Sequence, residues 1–131
     1  MAAAESYPDD LKYHEEHDWA QVEGDEAVLG ITWFAADALG ELVHFEAPEV
    51  GSTVTKDQSY GEVESVKAVS DVIAPLSGEV LEVNQQVVDA PETVNEDPYG
   101  NGWLIRIRLA DPGEADALLD AGGYRQVLAD Q

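Results

Sequence analysis

At 131 residues and 14.2 kDa the chain is long enough for one moderate core and short for two, so a single domain spanning residues 1–131 is expected. It has no cysteine, which excludes a disulfide frame, a thiolate metal site and a cysteine nucleophile. The formal net charge is −22, spread along the chain, and it would repel a phosphate backbone, so nucleic acid is excluded as a partner.

No run approaches the roughly 18 apolar residues of a membrane span. The start Met1-Ala2-Ala3-Ala4-Glu5 lacks the basic residues and apolar stretch of a secretory signal. No membrane contact and a cytoplasmic location are therefore expected. The acidity admits two readings: a docking surface for basic partners, or a solvated surface adapted to high salt, where charges are screened within about 3 Å at 1 M. The dispersal of the acids and the scarcity of lysine favour the salt reading. It predicts a chain that loses structure in dilute buffer and regains it in molar salt.

In chain order, Trp19–Val22 and Ala27–Ile31 read as strands joined by the turn Glu23-Gly24-Asp25. Thr32 caps a short helix over Trp33–Leu39 that Gly40 closes. Leu42–Glu46 is a strand stopped by Pro48, and His44 within it reads as a hydrogen-bonded histidine among apolar neighbours. Glu62–Val66 and Val69–Ala74 form a hairpin around Lys67. Pro75 and Gly78 bracket a turn before the strand Glu79–Val83. Ala90–Asn95 suggests a helical turn, and Trp103–Leu109 is the clearest strand in the chain. Asp111-Pro112-Gly113-Glu114 carries the signals of a helix start and predicts a helix through Leu118 and Leu119 to Gly122. A last short helix covers Tyr124–Ala129. The fold is thus mainly β with short terminal helices: a β core over about residues 19–109 and a helical extension over 111–131.

Lys67 is one of only three lysines, and no neighbouring residue gives it a structural role. At a hairpin tip its ammonium is solvated and sterically open, as an attachment point for a modification must be. Gly61-Glu62-Val63-Glu64-Ser65-Val66 is echoed by Gly78-Glu79-Val80-Leu81-Glu82-Val83, as expected of two similar strand units packed into a small flattened barrel with Lys67 at one end.

The segments Glu64-Ser65-Val66-Lys67-Ala68, Ser70-Asp71, Ala74-Pro75-Leu76-Ser77-Gly78-Glu79-Val80, Val94-Asn95-Glu96-Asp97-Pro98-Tyr99, Gly102-Trp103-Leu104-Ile105 and Leu29-Gly30-Ile31-Thr32 together resemble the H-protein family of the glycine cleavage system, from about Leu11 to Leu128. The resemblance implies a lipoyl/biotinyl-carrier-like flattened barrel (a barrel-sandwich hybrid) and lipoate amide-linked to Lys67. It implies a carrier and not an enzyme. Its partners would be glycine decarboxylase (P-protein), aminomethyltransferase (T-protein), dihydrolipoamide dehydrogenase (L-protein) and a lipoate ligase or lipoyltransferase. In this pattern Glu64 and Gly78 match positions that the lipoylating enzyme recognises, although a turn requirement explains Gly78 equally well. Asp18 and Asp71 match acidic side chains that hold the amine of the loaded arm, with Glu16 as a second candidate near Asp18. Asp18 is one methylene shorter than the glutamate common at its position.

Other readings are weaker. His14, His17 and His44 could suggest a zinc site, but the segment lacks metalloprotease spacing, so no metal is expected. Trp19, Trp33 and Trp103 read as packing residues. A biotinyl carrier would also use a hairpin lysine, yet Val66 and Ala68 stand where flanking methionines are usual. A carrier that relays lipoyl groups to other proteins, and an unmodified binding protein of the same fold, are the remaining alternatives.

Overall fold

The computed structural model describes residues 3–131. Its strands are β1 (Lys12–His14), β2 (Asp18–Glu23), β3 (Glu26–Ile31), β4 (Leu42–Glu46), β5 (Thr53–Val54), β6 (Ser59–Ser65), β7 (Val69–Ile73), β8 (Gly78–Val83) and β9 (Ile105–Leu109). The helices are α1 (Trp33–Leu39), α2 (Gln85–Asp89), α3 (Thr93–Glu96) and α4 (Ala121–Ala129), with a 3-10 helix over Pro112–Ala117. One sheet runs β1-β2-β3-β9-β8-β5 and the other β4-β6-β7, all neighbours antiparallel.

The inner faces of the two sheets supply the main core. Leu29, Ile105, Ile107 and Val80 come from the larger sheet and Phe45, Val63 and Val72 from the smaller one, all nearly inaccessible. Alternation along β6 shows why: Tyr60, Val63 and Ser65 turn inward while Glu62 and Glu64 face solvent. The two echoed segments fall on different sheets, β6 on the smaller and β8 on the larger.

A second cluster of Tyr7, Leu11, Tyr13, Trp19 and Tyr124 ties the N-terminal segment and α4 to β1 and β2. Tyr13 stacks on Tyr124 at 4.8 Å between ring centroids, and Tyr13 and Leu119 exchange backbone hydrogen bonds of 2.8 Å.

Several expectations change. Asp111 does cap a helix start, but the helix is of the tighter 3-10 type and ends at Ala117, because Leu119 is drawn into pairing with Tyr13. Asp120 then caps α4, which contains Gly122 instead of ending there. The helical turn expected at Ala90–Asn95 resolves into α2 and α3 on either side of Pro91, α2 being capped by the Asn84 side chain. The strand expected from Trp103 begins at Ile105. The short strands β1 and β5 fall below any periodicity signal. His44 is exposed, since an irregularity in register between Leu42 and His44 turns its side chain out of the core.

Candidate functional site

Lys67 stands in the three-residue link Val66-Lys67-Ala68 between β6 and β7. The link is shaped by Ser65, whose hydroxyl accepts from the backbone N–H groups of Lys67 (3.3 Å) and Ala68 (3.1 Å). The Ser65 N–H in turn donates to the Ala68 carbonyl at 2.8 Å. A serine fixing its own turn in this way holds the lysine without touching its side chain. Lys67 is exposed, and its valine neighbours Val66 and Val69 are 86% and 59% exposed.

The stem of Lys67 lies over Gly40 at the end of α1; a Cβ there would come within 3.4 Å of Lys67 Cε. Gly40 has φ +86°, a conformation that favours glycine. Asn95 pins this corner: its Oδ1 accepts from the Leu42 N–H (2.9 Å) and its Nδ2 donates to the Gly40 carbonyl (2.9 Å). Between α1 and α3 opens a cleft of about 290 Å³ whose lining includes Trp33, Asp37, Gly40 and Glu92. Ser65, Gly40 and Asn95 are site-building residues that sequence reasoning missed. The one available signal was a turn-favouring serine two places before the lysine.

The register sets the carboxylates in order. His44, Glu64 and Val69 form one cross-strand row on the outer face of the smaller sheet, and Glu46, Glu62 and Asp71 form the next. Glu64 and Asp71 are exposed, and Asp71 accepts a hydrogen bond from the Ser59 hydroxyl at 3.3 Å. Glu64 therefore sits beside the lysine tip, with Asp71 one row further on.

Asp18 is placed differently. It opens β2, is 1% exposed, and accepts from the backbone N–H of Ile73 at the end of edge strand β7. Burial, and to a smaller extent the nearby Glu16 charge, pushes its carboxyl well above the ordinary aspartate range. Glu16 is itself exposed, and its backbone N–H donates to His14 Nδ1 at 3.0 Å. Asp18 and Asp71 thus flank the same strand, one at its edge and one on its outer face.

Gly78 lies apart, on the larger sheet between β5 and β9, and begins β8 instead of closing a turn. A Cβ there would collide with the Arg108 carbonyl oxygen and stand 3.1 Å from Ile107 Cδ1. Close strand approach is thus a sufficient reason for the glycine.

His14 and His17 are held by hydrogen bonds. His14 accepts from Glu16 at Nδ1, so its Nε2 carries the proton and donates to Asp57 at 2.7 Å. His17 Nδ1 meets the Tyr124 hydroxyl at 2.8 Å, and burial lowers the pKa of its ring. Among the described residues no histidine, cysteine or carboxylate group is arranged to hold a metal. Trp19 is buried, with its indole N–H donated to the Pro98 carbonyl at 3.1 Å, while Trp33 and Trp103 are half-buried.

The chain is similar to known proteins over most of its length. A family model described as "Glycine cleavage H-protein" covers residues 11–131. A protein named glycine cleavage system H protein from Symbiobacterium thermophilum is 51% identical over 89% of this chain and 91% of its own. One of the same name from Halorhodospira halophila is 51% identical over 95% and 96%. The crystal structure of a glycine cleavage system H protein from Mycobacterium marinum superposes with a TM-score of 0.86 at 44% identity, covering 93% of this chain and 98% of that one. The chain belongs to the glycine cleavage H-protein family.

Proposed function

We propose that Lys67 is the residue on which this H-protein carries its lipoyl group, with Glu64 as a recognition mark for the lipoylating enzyme and Asp71, Asp18 and Glu16 as contacts for the loaded arm. The observation that carries the assignment is the tip itself: Ser65 fixes the turn, the ammonium is exposed, and Gly40 leaves room beneath its stem. As a member of its family the chain is a lipoyl carrier of glycine cleavage and not an enzyme. It works with the P-, T- and L-proteins and with a lipoate ligase or lipoyltransferase.

The residues fit the group. Lipoate on Nζ supplies a disulfide that is reduced as it takes up the aminomethyl remainder of glycine, and a dithiol that is reoxidised after that remainder has been passed on. Lys67 contributes a single acylation point, and amide formation there needs an activated acyl donor and a base from the lipoylating enzyme. Asp71, exposed beside β7, offers a charge-assisted contact to a cationic amine. Asp18 offers a buried one at the strand's edge. For Gly78, close contact with β9 is one sufficient reason for the glycine, and recognition by the lipoylating enzyme is the other reading.

We infer also that the protein works in the cytoplasm, where the enzymes that use a glycine-cleavage carrier operate; no helix among the described residues is long and apolar enough to cross a membrane. Its −22 charge is an adaptation to high salt. The attachment point can be tested directly: with lipoate, ATP and a lipoate ligase, intact mass should rise by one lipoyl unit in the wild type and stay unchanged in Lys67→Arg. Lipoylation of Lys67→Arg would place the arm on another lysine.

A further inference from the structure

The cleft between α1 and α3 shares a wall with the lysine tip, because Gly40 both lines it and lies beneath the Lys67 stem. Its volume of about 290 Å³ stands at the bottom of the ~300–1,000 Å³ range of small-molecule sites and suits a single side chain. Trp33 and the buried Ala36 give it an apolar wall, and the exposed Asp37 and Glu41 and the half-buried Glu92 bring three carboxylates to it. Among the described residues its lining holds no lysine or arginine, and no ion pair engages any of these three acids.

Two residues mark the cleft as made for a cation. Glu92 stands at the N-cap of α3 yet makes no capping hydrogen bond, which leaves its carboxylate to the cleft. A serine, threonine, aspartate or asparagine would serve the helix better there. Trp33 is the other. Arg106 lies over Trp103 at 5.8 Å and Arg125 over Tyr7 at 5.7 Å, whereas no cation among the described residues is seated on Trp33. Its place is fixed all the same: the indole N–H donates to the Ala3 carbonyl at 2.8 Å and the backbone N–H to the Tyr99 hydroxyl at 2.9 Å. An aromatic residue and carboxylates held together in one cleft form a seat for a guanidinium or ammonium on an aliphatic stem.

We infer that this cleft docks a basic side chain of the enzyme that lipoylates Lys67. The inference rests on the carrier function proposed for Lys67 and adds the surface that the loading enzyme grips. Position selects that enzyme over the others. Acylation must bring the activated carbonyl carbon to Nζ itself, which stands 4.0 Å from the position of a Cβ on Gly40. A surface seated on the lysine tip therefore reaches the cleft as well. Enzymes that act on the dithiolane meet it ~10 Å further out, beyond about eight bonds of ~1.2 Å each, and need not approach the stem. Arginine suits the cleft best, since its planar fork spans carboxylates while its face stacks on an indole. Because the contact is partly buried, salt screens it less than it screens the exposed acids.

The test uses the full-length protein before lipoylation, with a lipoate ligase, ATP and lipoate, in salt at which circular dichroism shows every variant folded. Glu41→Gln/Glu92→Gln should raise the KM for the carrier roughly tenfold, as expected when a hydrogen bond to a charged group is lost. Its kcat should stay within about twofold, because uniform binding is what has been removed. Glu23→Gln/Asp25→Asn removes the same charge from the β2-β3 turn, at the other end of β3 from α1, and should leave KM unchanged. Once lipoylated, Glu41→Gln/Glu92→Gln should take up the aminomethyl group from glycine and the decarboxylase at the wild-type rate. In the ¹⁵N-labelled wild type, the Trp33 indole N–H resonance should move when the ligase is added. A wild-type KM in Glu41→Gln/Glu92→Gln, an equal rise in the turn variant, or an unmoved Trp33 resonance would overturn the inference. Slowing by the decarboxylase equal to that by the ligase would overturn the assignment of the cleft to the loading enzyme. A wild-type protein that gains no lipoyl group at Lys67 would overturn the carrier reading itself.

Discussion

Two residues of opposite exposure stand at the proposed site of this carrier. Lys67 is presented to solvent by Ser65, so the polar turn atoms are satisfied without involving the ammonium. Asp18 is withdrawn from solvent, and its burial has a measurable cost with a definite sign. Because the folded state holds the Asp18 proton more tightly than the unfolded chain does, stability should fall as pH rises from about 4 toward the raised folded value. Asp18→Asn removes that titration. Urea unfolding at intervals from pH 4 to 7.5 should show the wild type losing stability relative to Asp18→Asn as pH rises. Parallel profiles would mean that Asp18 carries no desolvation penalty.

At the scale of elements, the hairpin and α1 were legible because their signals are local. Glu62, Glu64 and Val63 alternate, Thr32 caps and Gly40 terminates, and each feature stands where the pattern puts it. The C-terminal region was less legible because a distant partner decides it. Leu119 pairs with Tyr13 across more than 100 residues of sequence, which cuts the expected helix at Ala117. The candidate site divides in the same way. Lysine and carboxylate positions could be matched by motif, whereas the support from Asn95, the space at Gly40 and the burial of Asp18 arise only when sheets and helices meet. Gly78 is the element-scale test of a residue with two explanations. Gly78→Ala must displace β8 from β9, costing about 1–3 kcal/mol by overpacking, and denaturant unfolding should register that loss. An undiminished stability combined with poor lipoylation would restore direct recognition as its reason.

Across the whole molecule, charge is the prevailing influence. The register brings Glu46, Glu62 and Asp71 side by side on one exposed sheet face, an arrangement that like-charge repulsion disfavours. On the other sheet, Arg106–Glu82 (3.2 Å) and Arg108–Glu79 (3.5 Å) are half-exposed pairs that offset little of it. The proposed salt adaptation makes a specific demand. Glu62→Gln should stabilise the protein by a few tenths of a kcal/mol in dilute buffer, and the gain should vanish near 1 M salt, where screening acts within about 3 Å. Circular dichroism across the same salt range should show structure increasing in the wild type. Full folding without added salt, and a Glu62→Gln effect independent of salt, would remove the adaptation reading.

The proposed function puts the cargo of this carrier on Lys67. The most direct measurement is peptide-level mass spectrometry at Lys67 after lipoylation, with and without glycine and the decarboxylase. The account predicts a lipoyl adduct on the Lys67 peptide alone, and an added aminomethyl group that appears only when both glycine and the enzyme are present. An unmodified Lys67 peptide, or a lipoyl adduct that never gains glycine-derived mass, would contradict it.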